Sequence, residues 1–227
     1  MEETLFDLAA EYTEMLNQGL RLSGESQEFF VEGRLRNLIA RLPSGFAPRR
    51  ILDFGCGIGA TSGSLAGLFP AAAVVGTDTS ERALEYAAER HGSARIRFKG
   101  IAALESEAPF DLCYSNGVFH HIHPAKRLSA VAKIHAALRP GGLFALFDNN
   151  PWNLGARMVM KRVPFDRHAI MMPLGEAKNL VKQAGFQAPQ ATWTMFYFPR
   201  VLAPLRFLER PLAALPLGAQ YCVLARK

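Results

Sequence analysis

Apolar positions over residues 4–41 recur every three or four residues, at Leu5, Leu8, Tyr12 and Leu16 and then at Phe29, Leu35 and Leu38, which predicts two helices. Ser23, Gly24 and Glu25 separate them, and the stretch 43–48, bounded by two prolines, ends the second. From Arg50 the pattern changes to short apolar runs alternating with helical stretches. Residues 51–54, 73–77, 95–98, 110–114 and 143–147 read as strands, with crossover helices over 61–69, 81–90 and 124–138. Such alternation, with apolar strands, implies a doubly wound α/β fold whose parallel sheet is covered on both faces. Pro124 suits a first helical turn, and Arg139-Pro140-Gly141-Gly142 suits a helix stop. Residues 150–173 are too long for a plain loop and predict a lid with short helices of its own. A helix over 175–184, closed by Gly185, precedes two final strands at 192–198 and 219–225, which brings the expected total to seven.

With 227 residues, 49% of them apolar and 20% charged, the chain can bury a full core as one decorated domain. The net charge of +6 is unevenly spread. Up to Asn149 there are 15 basic against 17 acidic residues, and from Asn150 onward 11 against 3. The last third is therefore basic, which suits an anionic ligand or an acidic membrane surface better than a nucleic acid wrapped on all sides. Cys56, Cys113 and Cys222 are odd in number and widely spaced, so neither a disulfide framework nor a zinc-type cysteine site is expected. The N-terminus is acidic where a signal peptide would be basic, and no apolar run reaches membrane-spanning length. A cytoplasmic, soluble protein is the expectation.

The sharpest chemical signal is Ile51-Leu52-Asp53-Phe54-Gly55-Cys56-Gly57-Ile58-Gly59-Ala60, a strand entering a glycine-rich turn and then a helix. Glycine serves there because the backbone must turn tightly and a ligand must approach it closely. Asp78 ends the second strand 23 residues after Gly55, the spacing at which an acid accepts hydrogen bonds from ribose hydroxyls in nucleotide-binding βαβ units. Alone, the loop leaves alternatives open, since Gly55, Gly57 and Ala60 also satisfy a dinucleotide fingerprint and a nicotinamide-dependent oxidoreductase would carry the same turn.

Further segments resemble one family. ILDFGCGIG, VVGTDTS, FDLCYSNGVFHHI and LRPGGLFALFD together are similar to the motifs of the Rossmann-like (class I) S-adenosylmethionine-dependent methyltransferases of the small-molecule branch, over about residues 50–148. The resemblance implies a mostly parallel seven-stranded sheet closed by an antiparallel C-terminal hairpin. It also implies an N-terminal helical cap over 1–45 and a methyltransferase domain over 46–227, with a lid at 150–173 and an insertion at 199–218. By the same resemblance Gly55, Gly57 and Gly59 approach the cofactor, Asp53 organises their loop, Asp78 holds the ribose, Thr79 lies beside the adenine and Asn116 borders the reacting methyl group. Tyr12 and Arg34 resemble cap positions that close over the cofactor. The family's acid after the third strand is missing from Lys99-Gly100-Ile101-Ala102-Ala103-Leu104, which leaves the backbone of Ile101 and Ala102 to read the adenine.

His120, His121 and His123 follow the fourth strand, at the ligand-binding end of an open α/β sheet, and His120 or His121 is the expected general base. No acidic or thiol partner lies near them along the chain, so no metal is expected. Asn149, Asn153 and His168 are the expected substrate-side residues, and Arg157, Lys161, Arg162 and Arg167 would form a positive rim for a phosphate-bearing acceptor. The aromatic, leucine-rich and basic segment 195–217 suits either peripheral membrane contact or packing on the domain or on a dimer partner, the second being preferred. The expected function is methyl transfer from S-adenosylmethionine to an O, N or C atom of a small polar, anionic or phosphate-bearing molecule, releasing S-adenosylhomocysteine. A methyltransferase-like protein that binds ligands or partners without turnover is the non-enzymatic alternative. Nucleic-acid methylation lacks support, because no Asn-Pro-Pro-Tyr-like tetrapeptide follows the fourth strand.

Overall fold

The computed structural model describes residues 9–21 and 23–227, and one seven-stranded sheet organises them. Its strands are β1 (Arg50–Phe54), β2 (Ala73–Asp78), β3 (Ile96–Gly100), β4 (Phe110–Asn116), β5 (Leu138–Asn149), β6 (Ala191–Met195) and β7 (Gln220–Arg226), in the spatial order β3-β2-β1-β4-β5-β7-β6. Strands β1 to β5 pair in parallel, while β7 runs antiparallel to both β5 and β6. The fold is thus the doubly wound, mostly parallel sheet with a reversed hairpin that the motifs implied.

Side chains alternate between two apolar layers, as strand geometry requires. Leu52, Phe144 and Val223 face one layer, where they meet Val131 and Ile134 of α6 (Pro124–Ala137) and Val181 of α8 (Leu174–Gln183). Ile51, Ala145 and Leu224 face the other, against Leu65 of α3 (Ala60–Leu68) and Val31, Leu35 and Leu38 of α2 (Gln27–Ile39). The second N-terminal helix is therefore part of the core layer, with Leu38 fully buried. Between β2 and β3, α4 (Glu81–His91) starts where Ser80 accepts a hydrogen bond from the Ala83 N–H, satisfying an otherwise orphaned donor.

Three segments differ from the sequence reading. Residues 101–107 form a 3₁₀ turn (Ile101–Ala103) and a short α5 (Leu104–Glu107), too brief to leave a periodic signal. The stop at residues 139–142 holds, yet β5 already begins at Leu138; its pairing with β4 slips between Phe110 and Leu112, which absorbs the turn residues into the strand. The insertion between β6 and β7 forms a 3₁₀ helix (Arg200–Leu208) running into α9 (Glu209–Leu212), and neither buries a residue. Val201 and Phe207 stand 84% and 72% exposed, so the tip of this segment does not pack on its own domain. Packing belongs instead to Tyr197, edge-on to Phe29 and Phe30, and to Arg206, which binds Glu25 and lies over the Phe29 ring. Among the described residues no helix is long and apolar enough to cross a membrane.

Candidate active site

A cavity of about 1450 Å³ opens at the carboxyl ends of β1, β2 and β4, where the strand order reverses on either side of β1. Open α/β sheets bind ligands at this point because the loops of adjacent strands there diverge to opposite faces. Above it sit α1 (Ala9–Leu20) and the lid, which consists of α7 (Leu154–Arg162) and a 3₁₀ turn (Pro164–Asp166). Cap and lid meet closely, since a Cβ on Gly19 would stand 2.3 Å from the Val163 side chain. The volume exceeds the roughly 300–1,000 Å³ of an ordinary small-molecule site and leaves room for two ligands together.

At one end the glycine loop forms a cradle. Gly57 takes φ +50° with nothing within 4 Å of where a Cβ would stand, so its backbone is open to the cavity. Gly59, at φ +81°, serves packing instead, because a Cβ there would come within 2.7 Å of Phe98; it lets α3 pack on β3 and does not line the cavity. Gly55 lines it, its N–H donating to the Thr77 carbonyl at 2.8 Å. Asp78 locks this loop onto β2. One carboxylate oxygen accepts from Gly57 N–H at 2.8 Å, and the other from Thr79 and Ser80 N–H at 2.7 and 3.0 Å.

Asp53 is buried beneath the loop and accepts from the Ser62 hydroxyl at 2.6 Å. Burial pushes its carboxyl up to about 7; the Ser62 hydrogen bond opposes this, and the Asp78 charge adds to it. A carboxyl with a raised folded pKa contributes its full stability below the unfolded value near 4 and loses it as pH rises through the folded value. Stability should therefore fall between pH 5 and pH 7, by at most about 1.4 kcal/mol per pH unit from this group. Urea unfolding at the two pH values should show a smaller fall in Asp53→Asn, and equal falls in both proteins would refute the assignment.

The remaining cofactor-side expectations divide. Thr79, Ile101, Asn116 and Arg34 line the cavity, whereas Ala102 is exposed outside it because the 3₁₀ turn points its side outward. Arg34 is nearly buried and donates to the Tyr114 hydroxyl and to Gln220 Oε1, both at 3.2 Å. Tyr12 lies in α1, but its side chain is outside the described residues.

The other end is built around the two histidines. His120 Nδ1 lies 2.5 Å from Asp148 Oδ1, while its Nε2 and the Nε2 of His121 lie 3.4 and 3.1 Å from Asp166 Oδ1 in the lid. Burial alone would lower the His120 pKa, but the carboxylates on its two nitrogens outweigh that and push it up to about 10. Burial likewise raises Asp166, and the two imidazoles more than offset this, holding it below its ordinary value. A neutral His120 base at pH 7 does not fit this setting. Asn149 lines the cavity and accepts from Gln220 Nε2 at 3.0 Å. Asn153 also lines it, yet its amide is committed to the backbone, capping α7 through Ala156 N–H and donating to the Leu217 carbonyl. His168 is exposed and does not line the cavity. Neither do Arg157, Lys161, Arg162 and Arg167, all of them exposed: α7 turns Met158 and Val159 inward and its own three cations outward, while Arg167 follows the 3₁₀ turn. The basic side chains that do line the cavity are Arg34, Arg82, Lys126 and Lys133.

Arg127 carries the histidine loop, and nothing in the sequence singles it out. It is 1% exposed; Nε donates to the carbonyls of Phe119 and Ile122 at 3.0 Å each, Nη1 to Glu176 at 2.7 Å and Nη2 to the Ile170 carbonyl. One guanidinium thus ties the histidine loop to α8 and to the strand of chain leaving the lid. Its neighbours in sequence offer no signal of this, because an arginine on a helix reads as a solvated charge.

Residues 51–142 match the family model described as "Methyltransferase domain". Trans-aconitate 2-methyltransferase of Variovorax paradoxus is 36% identical over 163 residues, covering 66% of this chain and 61% of that protein. The chain thus spans about three fifths of the length of this curated relative. Among solved structures, a methyltransferase described as a possible histamine N-methyltransferase of Thermotoga maritima superposes with a TM-score of 0.68 at 17% identity, each chain fully covered. Phosphoethanolamine N-methyltransferase 2 of Haemonchus contortus, in complex with S-adenosyl-L-methionine, gives 0.62 at 21% identity over 86% of this chain and 52% of that one.

Proposed function

We propose that this chain, whose residues 51–142 match a methyltransferase-domain model, is a Rossmann-like (class I) S-adenosylmethionine-dependent methyltransferase that places the methyl group of that cofactor on an oxygen of a small anionic acceptor and releases S-adenosylhomocysteine. The observation that carries this reading is a single cavity with two differently built ends, the glycine cradle with Asp78 and the histidine wall.

The cradle fits the cofactor on its own geometry. Gly57 leaves space that a Cβ would fill, and the Asp78 carboxylate, with about four lone-pair positions and three N–H bonds, retains capacity for a ribose hydroxyl. Asn116 Oδ1 is buried without a hydrogen-bond partner. Gly55, Gly57, Asp78, Thr79, Ile101, Asn116 and Arg34 are assigned to hold the cofactor, with Asp53 and Gly59 shaping the loop. When bound, the cofactor supplies the electrophilic methyl group. The chain itself must align an acceptor and exclude water, an effect worth roughly 7–11 kcal/mol in the best intramolecular cases.

An anionic acceptor is supported by the relatives named for trans-aconitate; the cavity lining itself is balanced, with Arg34, Arg82, Lys126 and Lys133 standing against Asp53, Asp78, Glu81 and Asp166. A carboxylate reaches the methyl group already ionised and needs no general base. His120, His121 and Asn149 are accordingly assigned to hold the acceptor rather than to strip a proton from it. The free thiols Cys56, Cys113 and Cys222 suit the reducing cytoplasm as the setting. A nicotinamide reading of the glycine loop is less well supported, since β7 enters the sheet antiparallel between β5 and β6 and departs from the dinucleotide-binding order.

The test is S-adenosylhomocysteine release from purified protein given S-adenosylmethionine and a panel of di- and tricarboxylates, phosphorylated acceptors and uncharged amines. A base-labile methyl ester from a polycarboxylate is the expected product. Turnover confined to the uncharged amines would overturn the acceptor class, and calorimetric binding of nicotinamide cofactors with none of S-adenosylhomocysteine would overturn the reaction.

A further inference from the structure

We propose that His120 Nε2, His121 Nε2 and Asp166 Oδ1 hold a first-row divalent cation, such as zinc, at the acceptor end of the cavity. The sequence disfavours a metal because no acid lies near the histidines along the chain; folding brings one from the lid, 45 residues beyond His121. The three ligand atoms lie within 4.8 Å of one another. The two N···O edges, 3.1 and 3.4 Å, match the roughly 3.3 Å expected for a tetrahedron with metal–ligand bonds of about 2.0–2.1 Å, and the third edge, between the ring nitrogens, lies within 4.8 Å and would shorten as the two rings turn onto the ion.

Two further observations point the same way. Asp166 Oδ1 is buried between the two ring nitrogens yet makes no hydrogen bond of regular geometry, as if the three groups converged on a common centre. Behind His120, Asp148 grips Nδ1 at 2.5 Å, and a carboxylate in that position orients the ring so that Nε2 becomes a strongly basic ligand once a cation displaces its proton. Two histidines and one carboxylate leave coordination positions open, and all three residues line the cavity. Resting on the anionic-acceptor reading, the cation would grip one carboxylate of a polycarboxylate and so offset the charge of Asp148 and Asp166, which would otherwise repel it. A second carboxylate would remain for methylation.

Zinc binding to untagged, full-length protein, measured by competition with a chromophoric chelator, tests the site apart from turnover. One equivalent bound at sub-micromolar Kd is expected, with Asp166→Ala and His121→Ala each weakening it at least tenfold and Asp148→Asn weakening it about 10–100-fold. Calorimetry of the same variants with S-adenosylhomocysteine should stay within about threefold of the parent, which shows that the cradle is folded. Zinc affinity unchanged by all three substitutions, or no stoichiometric zinc on a protein that binds S-adenosylhomocysteine, would overturn the site while leaving the methyltransferase reading intact. Stoichiometric zinc on a protein that methylates no carboxylate would overturn only the acceptor class.

Discussion

Replacing Arg127 by alanine is expected to destabilise the fold by about 3–5 kcal/mol, the range for breaking a buried, hydrogen-bonded ion pair. Its side chain is fully enclosed and makes four hydrogen bonds, three of them to backbone carbonyls of the histidine loop and the lid exit. Each buried carbonyl left without a donor costs on the order of 1–3 kcal/mol, whereas Glu176, 38% exposed, can turn to water and costs less. Arg127→Lys keeps the charge but lacks the planar fork that reaches several carbonyls at once, so it should recover less than half of the loss. Urea unfolding of the three proteins measures this. A loss under about 1 kcal/mol for alanine would show that the loop is held by other contacts.

Asp78→Ala is expected to weaken S-adenosylhomocysteine binding by at least about 100-fold, equivalent to some 2.7 kcal/mol. A hydrogen bond involving a charged group is worth about 1.5–3 kcal/mol, and this carboxylate orders the glycine loop through three N–H groups before any ligand arrives. Asp78→Asn separates the two contributions. Its amide NH₂ must face either Gly57 N–H or the Thr79 and Ser80 N–H pair, donor against donor, so it should lose nearly as much affinity as alanine. Calorimetry reads both variants, with circular dichroism as the check on folding; affinity within threefold of the parent in either would remove Asp78 from the ribose site.

The acceptor side shows how the reading from sequence and the folded geometry part company. His120 and His121 stand out in the chain as a pair, and their position after β4 is legible from strand periodicity alone. Their protonation and role are not, because Asp148 and Asp166 reach them across 28 and 45 residues of chain. The lid cations illustrate the converse error. Their charge is plain in the sequence, but the direction in which α7 presents them depends on which face packs against α1, and they point away from the cavity.

What the sequence determined by itself is the part of the molecule whose interactions are local: the alternation of strand and helix, the positive-φ glycines of the loop after β1, and the acid at the end of β2. These follow from backbone sterics and from periodic apolar patterns that need no knowledge of distant residues. Only the tertiary structure decided which carboxylates face the histidines, which arginine is buried and which are merely exposed, and where the lid closes. Those depend on desolvation and on contacts between segments far apart in the chain, and a side chain's charge state and partners are set by what surrounds it rather than by its neighbours in sequence.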